Sequence, residues 1–468
     1  MTSSGKMEQK RETLGSRLGF IFLSAGCAIG LGNVWRFPFI TGKNGGAAFV
    51  LFYIIFLIIF VTPIMAMEFA VGRASQQSVI KSFGVLTPKK KVWSLWGYIA
   101  WLGNYVLMMF YTVITGWMIA YTYYAASGRL AGMSVEQVGA NFGALLANPG
   151  ELIFWLFLAV LFGGLICYSS LQGGVENITK VMMAGLLALM LALAVRSVTL
   201  EGSEKGLEFY LKPDFGKLFA GGFSGFGTVL YEALGQAFFT LSVGIGSMAI
   251  FGSYIGKDRR LTGEALWVTA LDTFVALTAG LIIFPACFAY GVNPGAGPGL
   301  IFVTIPNVFN NMPNGQVWSI VFFLFMVFAA MSTVVAVFEN IIAGYMDMWK
   351  LSRQKAATIT SLSVFLLAIP CALGFNVWSG FHPLGGETIV LDLEDFIVSN
   401  NLLPIGAIVY LLFCVTRYGW GWDNFIAEAD EGKGMKFPKA LRAYFTYVVP
   451  VIIVLILCVG YWQIFGAK

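Results

Sequence analysis

The sequence predicts an all-α membrane protein with about eleven transmembrane helices. Of its 468 residues, 58% are hydrophobic and only 11% are charged, whereas about 25% of the residues in a soluble domain are charged. The mean hydropathy is +0.79. A helix needs about 20 apolar residues to cross a bilayer. Eleven stretches meet this requirement, at about 17–38, 45–71, 93–126, 151–170, 174–197, 222–255, 262–291, 316–346, 356–375, 396–416 and 443–465.

The basic residues between these stretches favour a cytoplasmic N-terminus. If the N-terminus is inside, the inner segments contain clusters such as Lys89–Lys91 and the pair Arg259 and Arg260. The outer segments contain fewer basic residues, among them Lys43 and Arg129. Because cytoplasmic loops carry the excess of lysine and arginine, this orientation is predicted. An odd number of spans then leaves the C-terminus outside.

Several classes of protein are excluded by what the sequence lacks. Its six cysteines all lie in apolar stretches without CxxC spacing, which indicates small buried side chains and no disulfides. The single histidine, His382, argues against histidine-based metal or acid–base chemistry. The sequence contains neither an HExxH nor a GxSxG motif, which argues against an enzyme. It contains no soluble basic domain, which argues against nucleic-acid binding. We expect no cleavable signal ahead of the first span.

Two of the predicted spans are interrupted near their middle. The first contains SAGCAIGLGNVWRFP at 24–38, where three glycines precede Asn33, and the sixth contains FFTLSVGIG at 238–246. A broken helix survives in a membrane only where it lines a protein cavity. Two breaks five spans apart indicate inverted repeats at about 17–197 and 222–416, with a transport site between them. Close helix packing through small residues is the alternative, but the polar residues at both breaks favour the site.

Four stretches of the chain resemble the neurotransmitter:sodium symporter family. They are GSRLGFIFLSAGCAIGLGNVWRFPFITGKNGGAAFVLFY, EFAVGR, GQAFFTLSVGIGSM and GGVENITKVMM. The likeness is to bacterial eleven-span amino-acid transporters, extends over nearly the whole chain, and implies the leucine-transporter fold with a 5+5 inverted repeat and broken helices 1 and 6. It implies a cytoplasmic segment at 1–16, a transporter core at 17–416, a cytoplasmic loop at 417–442, and span 11 with the outer C-terminus at 443–468.

The resemblance implies two sodium sites, and sodium, as a hard cation, suits oxygen ligands. The first site would use Ala28, Asn33, Thr240 and Asp272, and the substrate carboxylate would complete it. The second would use Gly26, Ile29, Ala329, Ser332 and Thr333. The alternative for the two hydroxyl residues is hydrogen bonding to their own helix backbone.

The resemblance also implies a substrate site at the two breaks. Its residues would be Cys27, Ala28, Leu31, Gly32, Leu107, Tyr111, Phe239, Thr240, Ser242, Ile245, Thr333, Ala336 and Val337. Backbone carbonyls would bind the substrate ammonium, whereas the amides of Leu31 and Gly32 and the Tyr111 hydroxyl would bind its carboxylate. The remaining pocket is mostly apolar and uncharged, which predicts a neutral, hydrophobic or aromatic L-amino acid. Apolar contacts separate related side chains weakly, so the particular amino acid stays open.

Asp272, in TALDTFVAL, lies midway along the seventh predicted span. A carboxylate in a membrane helix is costly and is treated as functional by default. Chloride-dependent members of the family have asparagine here; Gln236 and Tyr53 match two of their chloride positions, but Ala276 does not match a third. We therefore expect Asp272 to supply the negative charge and no chloride to be required. The alternatives are a structural carboxyl group, or coupling to protons through Asp272.

Two pairs of charged residues resemble the family's gates. Arg36 and Asp395 would close the outer side, with Asp392 and Glu394 as rival partners for the arginine. Arg11 and Asp347 would close the inner side.

Three further intramembrane acids are noted. Glu68 matches a position that supports the broken helices, whereas Glu232 and Glu339 receive no role from the sequence.

The function predicted is a sodium-coupled symporter that imports an amino acid by alternating access. A proton-coupled transporter and a non-transporting amino-acid sensor are the alternatives. We expect a bacterial inner membrane, membrane lipid as the surroundings, and a monomer that suffices for function, with dimerisation left open.

Overall fold

The computed structural model describes residues 12–218, 222–291, 299–462 and 465. Within these ranges the chain is helical and forms no β-strand, only one isolated bridge between Arg259 and Lys433. Nine helices there are long and apolar enough to cross a membrane, and a further span is made by two helices that meet at a 52° bend. The prediction of an all-α membrane protein is confirmed.

The first five predicted spans correspond to five helical units. They are Arg17–Ala28 with Gly32–Lys43 (span 1), Ala47–Ser75 (span 2), Val92–Ala126 (span 3), Pro149–Tyr168 (span 4) and Leu171–Val198 (span 5). Short connecting helices lie at Val79–Leu86 and Val135–Ala147.

The later spans begin with a second broken helix. They are Gly222–Thr240 with Ser247–Gly252 (span 6), Leu261–Ala289 (span 7), Gly315–Trp349 (span 8), Arg353–Leu373 (span 9), Val390–Val415 (span 10) and Lys439–Tyr461 (span 11). Connecting helices lie at Glu204–Leu211, Phe215–Leu218, Leu300–Asn310 and Trp422–Ala429. Span 10 begins six residues before its predicted start at 396, because acidic residues lower the hydropathy of its first turn.

Helix starts follow from capping residues in the sequence. Ser16 accepts a hydrogen bond from the Gly19 N–H and begins span 1, and Asn148 likewise accepts from the Glu151 N–H ahead of span 4. Such side chains satisfy amide groups that the first helical turn leaves without partners. The predicted interruptions of spans 1 and 6 are confirmed as breaks in the helices.

The breaks lie against the long central helices. Spans 3 and 8 each contain 35 residues and pack along one another. The first half of span 1 packs against spans 7 and 8, and the second half of span 6 packs against span 2. This arrangement brings backbone groups that lack helical partners, from both breaks, to the centre of the bundle.

Candidate functional site

The break in span 6 depends on backbone conformations that favour glycine. Ser242, Gly244 and Gly246 have φ angles of 50°, 115° and 81°. A β-carbon on Gly244 would come within 2.3 Å of the Leu403 carbonyl oxygen, so a side chain there is excluded by both strain and space. The sequence therefore positions span 6 directly against span 10.

Glu68 of span 2 holds the backbone of this break. Its carboxylate accepts hydrogen bonds from the amides of Gly244 at 2.8 Å, Met248 at 2.9 Å and Ala249 at 3.3 Å. The side chain is fully buried. These bonds replace the helical partners that the break removes, which is the role that the resemblance implies for Glu68.

A small cavity lies between the two breaks. It is lined by Cys27, Ala28, Gly30, Gly32, Leu107, Tyr111, Phe239, Ser242, Thr333 and Leu403. None of these side chains carries a formal charge at neutral pH. The chemistry of this lining suits a small molecule with an uncharged side chain.

The remaining predicted substrate residues lie around this cavity without lining it. The Leu31 N–H donates to the Tyr111 hydroxyl at 2.9 Å. The Ile245 carbonyl accepts from Asn104 at 2.9 Å, and Ala336 and Val337 are fully buried within span 8. Leu31, Ile245, Ala336 and Val337 do not line the cavity, nor does Thr240.

Two lining residues are absent from the sequence-based set. A β-carbon on Gly30 would lie 2.1 Å from the Tyr111 hydroxyl and 2.4 Å from the Thr333 hydroxyl, so this glycine allows both groups to reach the break. The sequence feature that could have indicated Gly30 is its position between Gly26 and Gly32. Leu403 of span 10 is an apolar residue in an apolar span, and no sequence signal distinguishes it.

Asp272, Asn33 and Thr240 form a polar cluster, here called the Asp272 cluster, beside the cavity. Asp272 is fully buried and accepts from the Asn33 amide at 2.8 Å and from the Thr240 hydroxyl at 3.0 Å. No lysine or arginine of the described residues forms an ion pair with it. A buried carboxylate without a cation is unfavourable. The cluster therefore suits a small cation in its oxygen-rich surroundings.

The positions matched to chloride binding lie near this cluster. Gln236 donates to the Gly32 carbonyl at 2.8 Å, and the buried Tyr53 hydroxyl has no hydrogen-bond partner in the described part of the chain. Ala276 is fully buried and offers no hydrogen bond from its side chain. The negative charge here comes from Asp272.

A second group of oxygens joins span 1 to span 8. The Thr333 hydroxyl lies 3.2 Å from the Gly26 carbonyl and 3.3 Å from the Ile29 carbonyl, and the Ser332 hydroxyl lies 3.3 Å from the latter. Ser332 also donates to the Ala329 carbonyl of its own helix at 2.9 Å. The donor set contains only oxygen, which fits a hard cation.

The predicted outer gate is not closed by an ion pair. No contact within 4.0 Å joins Arg36 to Asp395 among the described residues; the arginine instead lies 4.7 Å above the Phe239 ring. Asp395 accepts from Ser399 at 2.5 Å. The two rival acids, Asp392 and Glu394, form no ion pair with Arg36 in the described part of the chain either.

Asp392 accepts from the Ile389 N–H at 2.7 Å and begins span 10. Glu394 is 3% exposed and its carboxylate oxygens have no hydrogen-bond donor within the described segments. Neither acid contacts Arg36.

A buried ionic network, here called the inner network, lies on the predicted cytoplasmic side. Arg353 of span 9 pairs with Glu339 of span 8 at 2.7 Å and with Glu12 at 2.7 Å. Tyr254 donates to Glu339 at 2.6 Å. Arg353 was not singled out by the sequence, because its partner lies 14 residues away on another helix.

The predicted inner pair is only partly described. Arg11 lies outside the described residues. Asp347 accepts from the Ser78 N–H at 2.6 Å, and its backbone carbonyl accepts from Lys81. Glu232, which received no role, pairs with Lys43 at 2.7 Å and joins span 6 to the end of span 1.

Comparison with known proteins agrees with this geometry. The model of the sodium:neurotransmitter symporter family matches residues 11–138 and 135–466. A sodium-dependent transporter of Bacillus subtilis, YhdH, is 35% identical, and the match covers 96% of this chain and 97% of the YhdH chain. One from Haemophilus influenzae is 34% identical, over 97% and 99%. The crystal structure of MhsT in complex with L-phenylalanine matches with a TM-score of 0.87 and 36% identity, over 96% and 99%. The chain therefore belongs to the sodium:neurotransmitter symporter family and is a membrane transporter, not an enzyme.

Proposed function

We propose that this transporter imports a neutral amino acid with an aromatic or other large apolar side chain, driven by sodium. The observation that carries the proposal is the uncharged cavity beside the Asp272 cluster. Its apolar walls suit a side chain, and the neighbouring oxygen atoms suit a cation. The relative MhsT, crystallised with L-phenylalanine, supports an aromatic substrate.

Two sodium ions would be carried with each substrate molecule. The first would bind at Asp272, Asn33 and Thr240, with the Ala28 carbonyl and the substrate carboxylate as further ligands. The second would bind at the oxygens of Ser332, Thr333, Gly26, Ile29 and Ala329. Because the first ion contacts both the protein and the substrate, binding of one favours binding of the other.

The backbone of the breaks would bind the polar groups of the amino acid. Its carboxylate would accept from the Gly32 and Leu31 amides and from the Tyr111 hydroxyl, whereas its ammonium would donate to the carbonyls of Ala28 and Phe239. Broken helices offer such groups because their ends lack helical partners. The apolar side chain would then contact Cys27, Leu107 and the Phe239 ring.

Transport would not require chloride. A cation brought into this interior needs a nearby negative charge, and the Asp272 carboxylate supplies it without an external anion. The Asn33 amide and the Thr240 hydroxyl hold this carboxylate in place by hydrogen bonds at 2.8 and 3.0 Å.

Alternating access in a bacterial inner membrane, with the N-terminus cytoplasmic and the C-terminus outside, would complete the mechanism. Spans 1, 2, 6 and 7 would move against spans 3 and 8. Each charge that crosses 100 mV releases about 2.3 kcal/mol. Two sodium ions would therefore provide about 4.6 kcal/mol, enough for roughly a thousandfold accumulation of a neutral solute.

The test is uptake of labelled amino acids into proteoliposomes with inward gradients of sodium chloride, potassium chloride or sodium gluconate. We expect uptake of phenylalanine and other large neutral amino acids with both sodium salts and none with potassium. Uptake that follows a pH gradient and ignores sodium would support proton coupling. Sodium-dependent binding without uptake or counterflow would indicate a sensor.

A further inference from the structure

An apolar groove opens on the surface between spans 2, 7 and 11. Its walls include Ile58 of span 2, Leu266 of span 7 and Leu441 of span 11. Ile58 is 57% exposed and Leu441 is 41% exposed. In the predicted orientation the groove lies toward the cytoplasmic leaflet, where its exposed apolar side chains would contact lipid.

A basic surface continues this groove and shares Leu266 and Met435 with it. The basic side chains that line this surface are Arg17, Arg259, Arg260 and Lys433. The acid among its lining residues, Glu264, is paired with Arg17 at 3.0 Å. The groove and the basic surface thus form one continuous depression that is apolar in one part and positively charged in the other.

The positive charge of this surface is incompletely balanced within the protein. Arg260 donates to the backbone carbonyls of Asp430 at 2.9 Å and Gly434 at 2.7 Å, not to a carboxylate. Lys433 is exposed, as is Lys436 in the groove wall. Over the described ranges, neither lysine side chain forms an ion pair. Arg259 lies 3.9 Å from Asp258, so within the described ranges an anion would find Arg260 and the two lysines without an acidic partner.

We propose that this depression binds one anionic phospholipid, with an acyl chain in the apolar groove and the phosphate group on the basic surface. A lipid without net charge would leave the cations unbalanced, and a soluble phosphate would leave the groove unfilled. Basic pockets between transmembrane helices on the cytoplasmic side suit anionic headgroups. The Thr262 hydroxyl in the groove wall is buried without a hydrogen-bond partner in the structure described, and it offers a donor to the lipid.

The bound lipid would join segments that the chain connects only through loops. Its headgroup would contact Arg17 at the start of span 1, Arg260 ahead of span 7 and Lys433 ahead of span 11. Spans 1 and 7 are among those proposed to move during transport. The proposed lipid would therefore stabilise one arrangement of these spans over another.

The test is native mass spectrometry of the purified protein in detergent with equimolar phosphatidylglycerol and phosphatidylcholine. We expect a retained phosphatidylglycerol adduct in excess over phosphatidylcholine. The double variant Lys433→Gln with Lys436→Gln should reduce that excess about threefold or more. The matched control, Lys89→Gln with Lys91→Gln, removes two exposed charges on the same predicted side and should keep it.

The apolar part is tested by Ile58→Trp, which fills the groove without changing charge. We expect it to lower phosphatidylglycerol retention, whereas Ile55→Trp on the same span, outside the groove, should not. Equal retention of the two lipids by the unmodified protein would overturn the proposal, as would equal loss in both lysine pairs. Displacement of phosphatidylglycerol by soluble glycerol phosphate alone would contradict a role for the acyl chain.

Discussion

The contacts on the predicted inner side of the molecule differ in kind from those at the predicted outer gate. At the inner end, Arg353 is 7% exposed and holds Glu339, which is fully buried, by two hydrogen bonds at 2.7 and 2.9 Å. At the outer end, Arg36 contacts the face of Phe239, and its Nη1 has no hydrogen-bond partner among the described residues. Loss of one member of a buried ion pair costs about 3–5 kcal/mol, whereas a cation–π contact contributes about 0.5–2 kcal/mol. The outer end should therefore open with less work.

The largest effect on this comparison is expected from Arg353→Gln. It leaves the Glu339 carboxylate buried without its cation, so the closed inner end loses much of its stability. Cys27 lines the cavity and is buried, and it can report opening in a Cys458→Ser background. With Cys167, Cys287, Cys371 and Cys414 also replaced by serine, we expect its labelling by a membrane-impermeant thiol reagent from the inner side to become about tenfold faster or more. Unchanged inner labelling, with normal sodium-dependent substrate binding, would contradict a closing role for the inner network.

The double variant Glu339→Gln with Arg353→Gln separates charge burial from contact loss. Removing both charges avoids an unpaired buried ion, so the double variant should be less perturbed than Arg353→Gln alone. Its inner labelling rate and thermal stability should lie between those of the single variant and the parent protein. Additive effects of the two substitutions would show that the residues act independently.

A smaller effect is expected at the outer end from Arg36→Gln. It removes the contact with Phe239, and outer labelling of Cys27 should rise about two- to tenfold. The conservative Arg36→Lys keeps the charge and part of the contact with Phe239. Its outer labelling rate should lie between those of the parent protein and Arg36→Gln. An effect larger than that of Arg353→Gln on the inner side would reverse the comparison.

The smallest effect concerns a surface contact at the inner end. Hydrogen bonding to Glu431 and the charge of Glu428 raise the pKa of Lys257 above its usual value. A raised folded-state pKa contributes stability below the unfolded pKa, and that stability is lost as pH rises through the folded value. Because Lys257 is 56% exposed, Lys257→Gln should lower stability only slightly at pH 7. The difference from the parent in thermal unfolding should shrink above about pH 10.4; a difference that grows there would contradict this sign.

Much of the fold is predictable from hydropathy and from helix-breaking residues. The two breaks were visible because glycines and polar residues interrupt apolar runs at 24–38 and 238–246. The start of span 10 was missed, because Asp392 and its acidic neighbours look like a loop although they begin a helix. A helix break or a helix start is therefore predictable from hydropathy only where the polarity of the sequence changes at that position.

The candidate site was less completely predictable, because its contacts join distant positions. Leu403 reaches the cavity through packing of span 10 against the break in span 6. Ala336 and Val337 were expected at the cavity but lie away from its wall. Arg36 and Asp395 have the charges for a pair, yet their separation depends on side-chain arrangement, which sequence spacing does not encode.

The central claim is that Asp272 supplies the negative charge for sodium-coupled uptake. The most direct measurement compares sodium-driven phenylalanine uptake by the parent protein and by Asp272→Asn in proteoliposomes, in chloride and in gluconate. We predict equal uptake by the parent protein in both salts, and a loss of about tenfold or more for Asp272→Asn in gluconate. Parent uptake that falls to background in gluconate, or Asp272→Asn uptake that stays at the parent level there, would contradict the account.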